Sequence, residues 1–358
     1  MAASPAAVFG PTDLDDPVAH GVALAPRVAA HLDAWLRVLV AEGVADPPAH
    51  LRALLGATGF RSAVEELVPD LAEEVRGVAA GAGVDPDLLL ALQLIDEEPA
   101  HRARAAALAK CTGFGLALPG GPTWIGQNMD LGAHTRGHQV LLRVAPRGDV
   151  PAALVFSVAG VVALMGVNAA GVGVCVNAVP QLPAAPDGLP VAFVIRRLLQ
   201  ARTLAEAVRL VRDLPHATSQ HYLLAGPGEV RSFEARPDGV AEHRPADPSR
   251  VLHTNHPLGP VTGTPAPPGA ERDSRARLDA LAARVGTGSP SLADLQGALA
   301  SSDDPAHPVC RVRGAGPSDY TTGSMVSALR PDAPVESWVS PGPPSEVPYA
   351  HAVLAASA

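Results

Sequence analysis

The sequence predicts an α+β protein, and three observations predict it. Residues 1–110 carry helical periodicity, short β-rich runs replace it from Cys111 onward, and those runs come as strands, then helices, then strands again. Strands in series followed by helices point to antiparallel sheets packed under helices, because a parallel sheet needs a regular strand–helix alternation.

In the first part, Asp16-Pro17 reads as a helix start, since proline is tolerated in a first turn, and Val28, Leu32, Leu36 and Leu39 follow at helical spacing. Pro69-Asp70 opens a second helix with Leu71, Val75 and Val78 on one face, ended by Gly81 and Gly83. Asp85-Pro86 opens a third, running through Leu90 and Leu94 to Asp96. Strands are expected at 112–118, 123–129, 138–145, 152–158, 161–167 and 171–177, with hairpin turns at Pro119-Gly120-Gly121 and Asn168-Ala169-Ala170-Gly171. Helices follow near 189–201 and 204–213. Strands resume at 221–225, 229–235 and 250–254. Helices from Arg272 to Val285 and at 291–300 then precede strands near 323–329 and 335–339.

Composition narrows the function. Hydrophobic residues make up 47% of the 358, enough to fill a large core and to exclude global disorder. A net charge of −9 argues against a nucleic-acid partner, because phosphate binding needs a basic face. Ala152 to Val176 is apolar for long enough to span a bilayer, but four glycines and Asn168 break it into short valine-rich runs, which read as buried strands; no membrane partner is expected. Three widely spaced cysteines, Cys111, Cys175 and Cys310, make neither a disulfide framework nor a metal-ligand pattern, and Met1 to Gly10, with no basic start and no long apolar run, is not expected to be a secretory signal. A reducing compartment, the cytoplasm, is the expectation.

The chain has no G-x-S-x-G elbow, no P-loop and no H-E-x-x-H, so the candidate sites are local. Cys111 opens the first strand at the helix-to-sheet boundary. An arbitrary cysteine is most often a small buried hydrophobe, but one at a chain start has an α-amine that can act as its own general base. Asp130 stands 19 residues on, at the end of a strand that a hairpin at 119–121 would fold back beside Cys111; taken alone it reads as a turn cap. In Leu252-His253-Thr254-Asn255-His256-Pro257, two imidazoles flank an amide. A metal pair on an extended segment lacks a third ligand, and the functional alternative is that Asn255 offers its amide N–H to a developing oxyanion.

Together these stretches resemble the acyl-coenzyme A:6-aminopenicillanic acid acyltransferase family of self-processing cysteine N-terminal-nucleophile hydrolases. The resemblance rests on Val68 to Glu97, on Cys111-Thr112-Gly113-Phe114 with Ile125 to Asp130, on Gly166 to Val179, and on His253 to Pro257 followed by Asp273 to Leu281, His307 to Cys310 and Ser340 to Tyr349. It implies a four-layer αββα sandwich with an N-terminal helical pro-segment. It implies a nucleophile at Cys111, self-cleavage between Lys110 and Cys111 into chains of residues 1–110 and 111–358, a carboxylate at Asp130 that orients the Cys111 end, and an oxyanion donor at Asn255. Asn177 resembles an amide lining the same hole in related enzymes, and Ser274-Arg275 matches a Ser-Arg pair of the family, with Arg277 competing. Three positions depart from the pattern: Lys110 where the family's penicillin enzyme has glycine, Met129 where many members have tryptophan, and Ser345 where many have cysteine.

The implied partners are a small-molecule acyl donor, an amide or an acyl-CoA, and an amine or water acceptor, with no cofactor. Two rival readings stand beside this one: a catalytically inactive ligand-binding relative of the same fold, and a metal-dependent hydrolase using His253 and His256.

Overall fold

The computed structural model describes residues 11–102, 111–259, 269–312 and 319–356. After a short strand β1 (Pro11–Leu14), the first part is helical: α1 (Pro17–Ala41), α2 (Pro47–Ala57), α3 (Phe60–Leu67), α4 (Pro69–Ala82), α5 (Pro86–Leu92) and α6 (Glu97–His101). Three of these helices begin at an Asp-Pro pair. The Asp16, Asp46 and Asp85 carboxylates accept backbone N–H groups of the first turn, while the proline occupies a position that needs no donor.

Two expectations need correction here. Gly83 ends α4 in the left-handed conformation, φ 67°, whereas Gly81 lies inside the helix against α1. The third predicted helix stops at Leu92 instead of reaching Asp96. There the buried Gln93 turns the chain: its Nε2 donates to the carbonyls of Leu89 and Gly160, and its Oε1 accepts from the Val162 N–H.

From Cys111 the chain builds two sheets. The smaller contains, in spatial order, β11 (Arg250–His253), β2 (Thr112–Ala117), β3 (Thr123–Gly132), β12 (Asp319–Leu329), β13 (Val335–Ser340) and β14 (Ala350–Leu354), all antiparallel. The larger runs β1, β4 (Gln139–Val144), β5 (Ala153–Val158), β6 (Met165–Asn168), β7 (Gly173–Ala178), β8 (Gln220–Gly226), β9 (Glu229–Arg236) and β10 (Gly239–His243), antiparallel except where β1 joins β4. The apolar stretch 152–176 is therefore strands and turns, and among the described residues no helix is long and apolar enough to cross a membrane.

The expected strand at 161–167 shortens to Met165–Asn168, because Gly160, at φ 91°, starts a turn that docks on Gln93. β10 and β14, at sheet edges and only partly buried, lack the apolar runs that announced the others.

The sheets meet face to face. Gly173 of the larger sheet lies under Ile125 of the smaller, Gly115 of the smaller under Leu223, and Gly323 of β12 under Phe156, whose ring would lie 2.0 Å from a Cβ there. The outer face of the larger sheet carries α7 (Val191–Leu198) and α8 (Leu204–Asp213); that of the smaller carries α9 (Ala270–Val285) and α10 (Leu292–Leu299), over a second apolar cluster of Phe114, Leu116, Leu281 and Val326. This is the αββα sandwich that the resemblance implies. The first-part helices extend the layer beside α7, joined to it through the buried Glu74–Arg196 pair at 2.9 Å.

α1 and α4 cross at backbone contact. A Cβ at Gly81 would lie 2.0 Å from the Val18 carbonyl oxygen, and one at Gly21 2.3 Å from that of Val78. In an open helix, alanine gains up to about 1 kcal/mol over glycine, and overpacking costs about 1–3 kcal/mol. Gly56 in α2 is exposed and has open space around it. Thermal melting should therefore give opposite signs: Gly81→Ala lowers the apparent Tm and Gly56→Ala leaves it level or raises it. A raised Tm for both would remove the close helix crossing.

Candidate active site

The hairpin of β2 and β3 aligns Thr112 with Asn128, which sets Cys111, just before β2, beside the end of β3. The Cys111 Sγ lies 3.6 Å from Met129 Sδ and 3.8 Å from the Asp130 carbonyl oxygen, and the residue is buried. Burial, together with the facing Asp130 carboxylate, pushes the thiol up to about 12. In the continuous chain this sulfur therefore holds its proton. Asp130 is buried as well, with an oxygen 3.5 Å from Arg311 Nε. Lys110 lies outside the described residues.

Arg277, on α9 and wholly buried, organises the site. Its Nη1 donates to the Cys111 carbonyl oxygen at 2.6 Å and to Thr112 Oγ1 at 2.9 Å, its Nη2 to Asn255 Oδ1 at 2.9 Å, and its Nε to Asp273 at 3.0 Å. Asp273, one helical turn earlier, also accepts from Arg311 and faces His307. One guanidinium thus fixes the backbone of Cys111 and the amide of Asn255 against each other. Because Arg277 holds the Asn255 oxygen, the Nδ2 end is oriented as a donor, here toward the Ala178 carbonyl at 2.9 Å.

Ser274 is buried behind Asn255. Its Oγ accepts from the Asn255 N–H at 2.8 Å and lies 2.8 Å from His256 Nδ1. Arg275 is not brought to the site: it is exposed and pairs with Glu271 along the helix. Residues 275 and 277 lie two apart on a helix, hence on different faces, and the inward face takes 277. Asn177, on β7, is buried against Gly113, where a Cβ would sit 3.6 Å from its Oδ1. That oxygen is 3.2 Å from His221 Nδ1, and its Nδ2 has no hydrogen-bond partner among the described residues. His253 and His256 turn to different partners, His253 to Glu234 and His256 to Ser274.

Two features were not singled out in the sequence. Gln127, inside the stretch that bears Asp130, clamps the sheets together: its side chain donates to the Val176 carbonyl and accepts the Val176 N–H. β7 needs this partner because its pairing to β6 ends at Val174. Asp96 and Glu97 tie the first part to the larger sheet: Asp96 accepts from Gln220 at 2.7 Å, and Glu97 from the Val191 N–H and Thr218. Burial raises Asp96, and burial beside Asp96 lifts Glu97 to about 7. The signal available was a run of three acidic residues, Asp96 to Glu98, closing an apolar run.

A narrow cavity of about 60 Å³ opens beside Cys111, walled by Asp130, Val176 and Ile195 and, from the first part, by Trp35 and Ile95. A larger one, about 580 Å³, lies away from Cys111 among Asp16, Asp70, Arg147 and Arg196.

Comparison with known proteins agrees with the resemblance. A family profile described as acyl-coenzyme A:6-aminopenicillanic acid acyl-transferase matches residues 118–290, just under half of the chain. That span includes Asp130, Asn177, Asn255 and Ser274 and begins after Cys111. The acyl-coenzyme A:6-aminopenicillanic-acid-acyltransferase 40 kDa form of Emericella nidulans is 27% identical over 189 residues, which are 52% of this chain and 52% of that protein. The chain thus spans about half the length of the curated relative it matches. Penicillin V acylase from Agrobacterium tumefaciens superposes with a TM-score of 0.42 at 17% identity, over 64% of this chain and 83% of that one.

The hub can be tested against its neighbour. Removing one partner of a buried charge pair costs about 3–5 kcal/mol, and an exposed i,i+4 pair is worth less than about 0.5 kcal/mol. Denaturant unfolding should accordingly show a large loss for Arg277→Met and almost none for Arg275→Met. Equal losses would mean that the guanidinium of Arg277 organises nothing.

Proposed function

We propose that this chain belongs to the acyl-coenzyme A:6-aminopenicillanic acid acyltransferase family and is a self-processing cysteine N-terminal-nucleophile enzyme that transfers or hydrolyses acyl groups through an acyl-Cys111 intermediate. The observation that carries the reading is the gathering at the start of β2, where Arg277 ties Cys111 to Asn255 and the Cys111 sulfur lies against Asp130. The family match over residues 118–290 supports it. A ligand-binding relative would account for the cavity but not for a thiol and a carboxylate in its wall with the Asn255 amide tied to the Cys111 backbone through Arg277. A cytoplasmic location is supported by three buried free thiols.

The first stage is self-cleavage. The Cys111 Sγ adds to the Lys110 carbonyl carbon, the C–N bond breaks as the Cys111 nitrogen takes a proton, and a thioester remains. Water then attacks that thioester, releasing the Lys110 carboxylate and the thiol. Residues 1–110 and 111–358 are thereby two chains, which stay together through Gln93, Asp96, Glu97 and the Glu74–Arg196 pair. Burial and, after it, the Asp130 carboxylate hold the thiol near 12, and cleavage acts on the second of these. A new α-ammonium beside Asp130 offsets the carboxylate, and a nearby cation favours the thiolate.

The second stage uses the same groups. The α-amine takes the thiol proton, and Sγ attacks the carbonyl of an amide or an acyl-CoA. Asn255 Nδ2, with the unpartnered Nδ2 of Asn177, donates to the oxyanion. The leaving group departs, an amine taking its proton from the α-ammonium, and water or an amine then cleaves the thioester. Hydrolysis and transfer are two exits from one intermediate.

N-terminal sequencing of purified wild-type protein should find a chain starting at Cys111, and Cys111→Ala should remain a single chain. Cleavage should persist with protease inhibitors and in Lys110→Ala, which separates it from tryptic nicking after the sole lysine. An intact wild-type chain that is fully active on an acyl substrate would refute self-processing.

For Asn255→Ala, turnover should fall about 10²–10³-fold, the usual cost of one oxyanion donor. Its melting shift should stay well below that of Arg277→Met. If the variant unfolds while its specific activity is unchanged, the amide is only a structural residue.

A further inference from the structure

We propose that the cavity beside Cys111 takes a short acyl chain bearing a hydroxyl group, and that His31 of the first part is its specificity-determining acceptor. The inference deepens the proposed function and rests on Cys111 being the acylated nucleophile.

His31 lies on α1, lines the same cavity as Cys111 and is 1% exposed. Its Nδ1 is 2.8 Å from the Ala159 carbonyl oxygen, and a carbonyl oxygen only accepts, so Nδ1 bears the proton. Burial keeps the ring neutral, lowering its pKa to about 3. Nε2 is therefore a bare acceptor, and it has no hydrogen-bond partner among the described residues. Its ring neighbours do not supply one. His134 and His138 stack on His31 with centroids 5.7 and 5.2 Å away, presenting faces and not N–H edges. A buried acceptor without a partner is uncommon, and on a residue that lines a cavity it marks a place for a donor.

The remaining wall sets the chain that carries this donor. Trp35, Leu92, Ile95, Val176 and Ile195 are apolar, which suits methylene groups. At roughly 10–15 Å³ for each water-sized group, 60 Å³ accommodates a chain of four to six heavy atoms. Asp96 and Asp130 share the cavity, and with the lone pair of His31 they disfavour a carboxylate. A hydroxyl at the end of a short apolar stem matches all of these constraints. In an apolar cavity without an acceptor the methyl analogue would win, because the hydroxyl must shed its water. The sign of the preference therefore reports whether the cavity offers an acceptor, and because Asp96 and Asp130 also line it, the His31 variants decide whether His31 is that acceptor.

The test uses mature wild-type protein and two isosteric pairs of acyl p-nitroanilides: 3-hydroxybutanoyl against 3-methylbutanoyl, and 5-hydroxypentanoyl against hexanoyl. Intact mass first establishes an acyl adduct on the 111–358 chain. In at least one pair the hydroxyl member should have a kcat/KM about tenfold higher, the worth of one good hydrogen bond. His31→Phe, which keeps a stacking ring, should bring the ratio to one or below, and His31→Gln, which retains an acceptor, should keep most of it. Equal or reversed preference in the wild type overturns the proposal whatever the variants do. So does an unchanged ratio in a folded His31→Phe. If Cys111 is acylated by a long-chain acyl-CoA but by none of these short donors, the short-chain site is wrong and the nucleophile stands. If no donor acylates Cys111, the reading of the nucleophile falls and this inference falls with it.

Discussion

The guanidinium of Arg277 is the constraint on which the rest of the site depends. It is fully buried, and it is tolerable there because Asp273 compensates its charge and because Cys111, Thr112 and Asn255 receive its N–H groups. A planar fork with several fixed donors can bind a backbone carbonyl, a hydroxyl and an amide oxygen together; a lysine ammonium, a point charge on a flexible stem, cannot hold that plane. Three distant pieces of chain are thereby held in one geometry: the start of β2, the segment after β11, and α9. The Asp273 carboxylate extends the network to Arg311, and Arg311 reaches Asp130. Cys111, Asp130 and Asn255 belong to one connected set of buried polar groups, so none of them moves independently.

The sheets make that set possible. Glycines at 115, 173 and 323 let the two inner faces close on Leu223, Ile125 and Phe156, and Gln127 satisfies the strand-edge groups of Val176 that this closure buries. An unpaired backbone N–H or carbonyl there would be costly, which explains a glutamine in the middle of an apolar interface. The same logic governs the first part. Gln93 and Glu97 each satisfy backbone groups of the 111–358 part, at loop 160–162 and at the start of α7. The helical segment is thus joined to the sheets by buried polar bonds as well as by apolar packing, and it supplies Trp35, Ile95 and His31 to the cavity beside Cys111.

Much of this was legible from local chemistry. Asp-Pro pairs announced the helix starts because a proline in the first turn and an aspartate before it both answer the unpaired N–H groups of a helix end. The β2–β3 hairpin was readable from Pro119-Gly120-Gly121, and with it the approach of Asp130 to Cys111, since strand pairing carries a residue at a known offset to a known neighbour. The strands between 153 and 178 followed from short valine-rich runs cut by glycine. Edge strands such as β10 were not readable, because a half-exposed strand needs no apolar pattern.

Chain chemistry alone therefore determined the helical first part, the sheet-forming remainder and a small set of candidate site residues. Tertiary structure decided which of them share a site. It placed Arg277 inward and Arg275 in solvent, turned the chain at Gln93, and set His31 of α1 at the wall of a cavity built mainly by residues far along the chain. The reason is that these choices depend on contacts across long sequence separations. A helix periodicity offers several faces, and only the surface packed against it determines which face is buried.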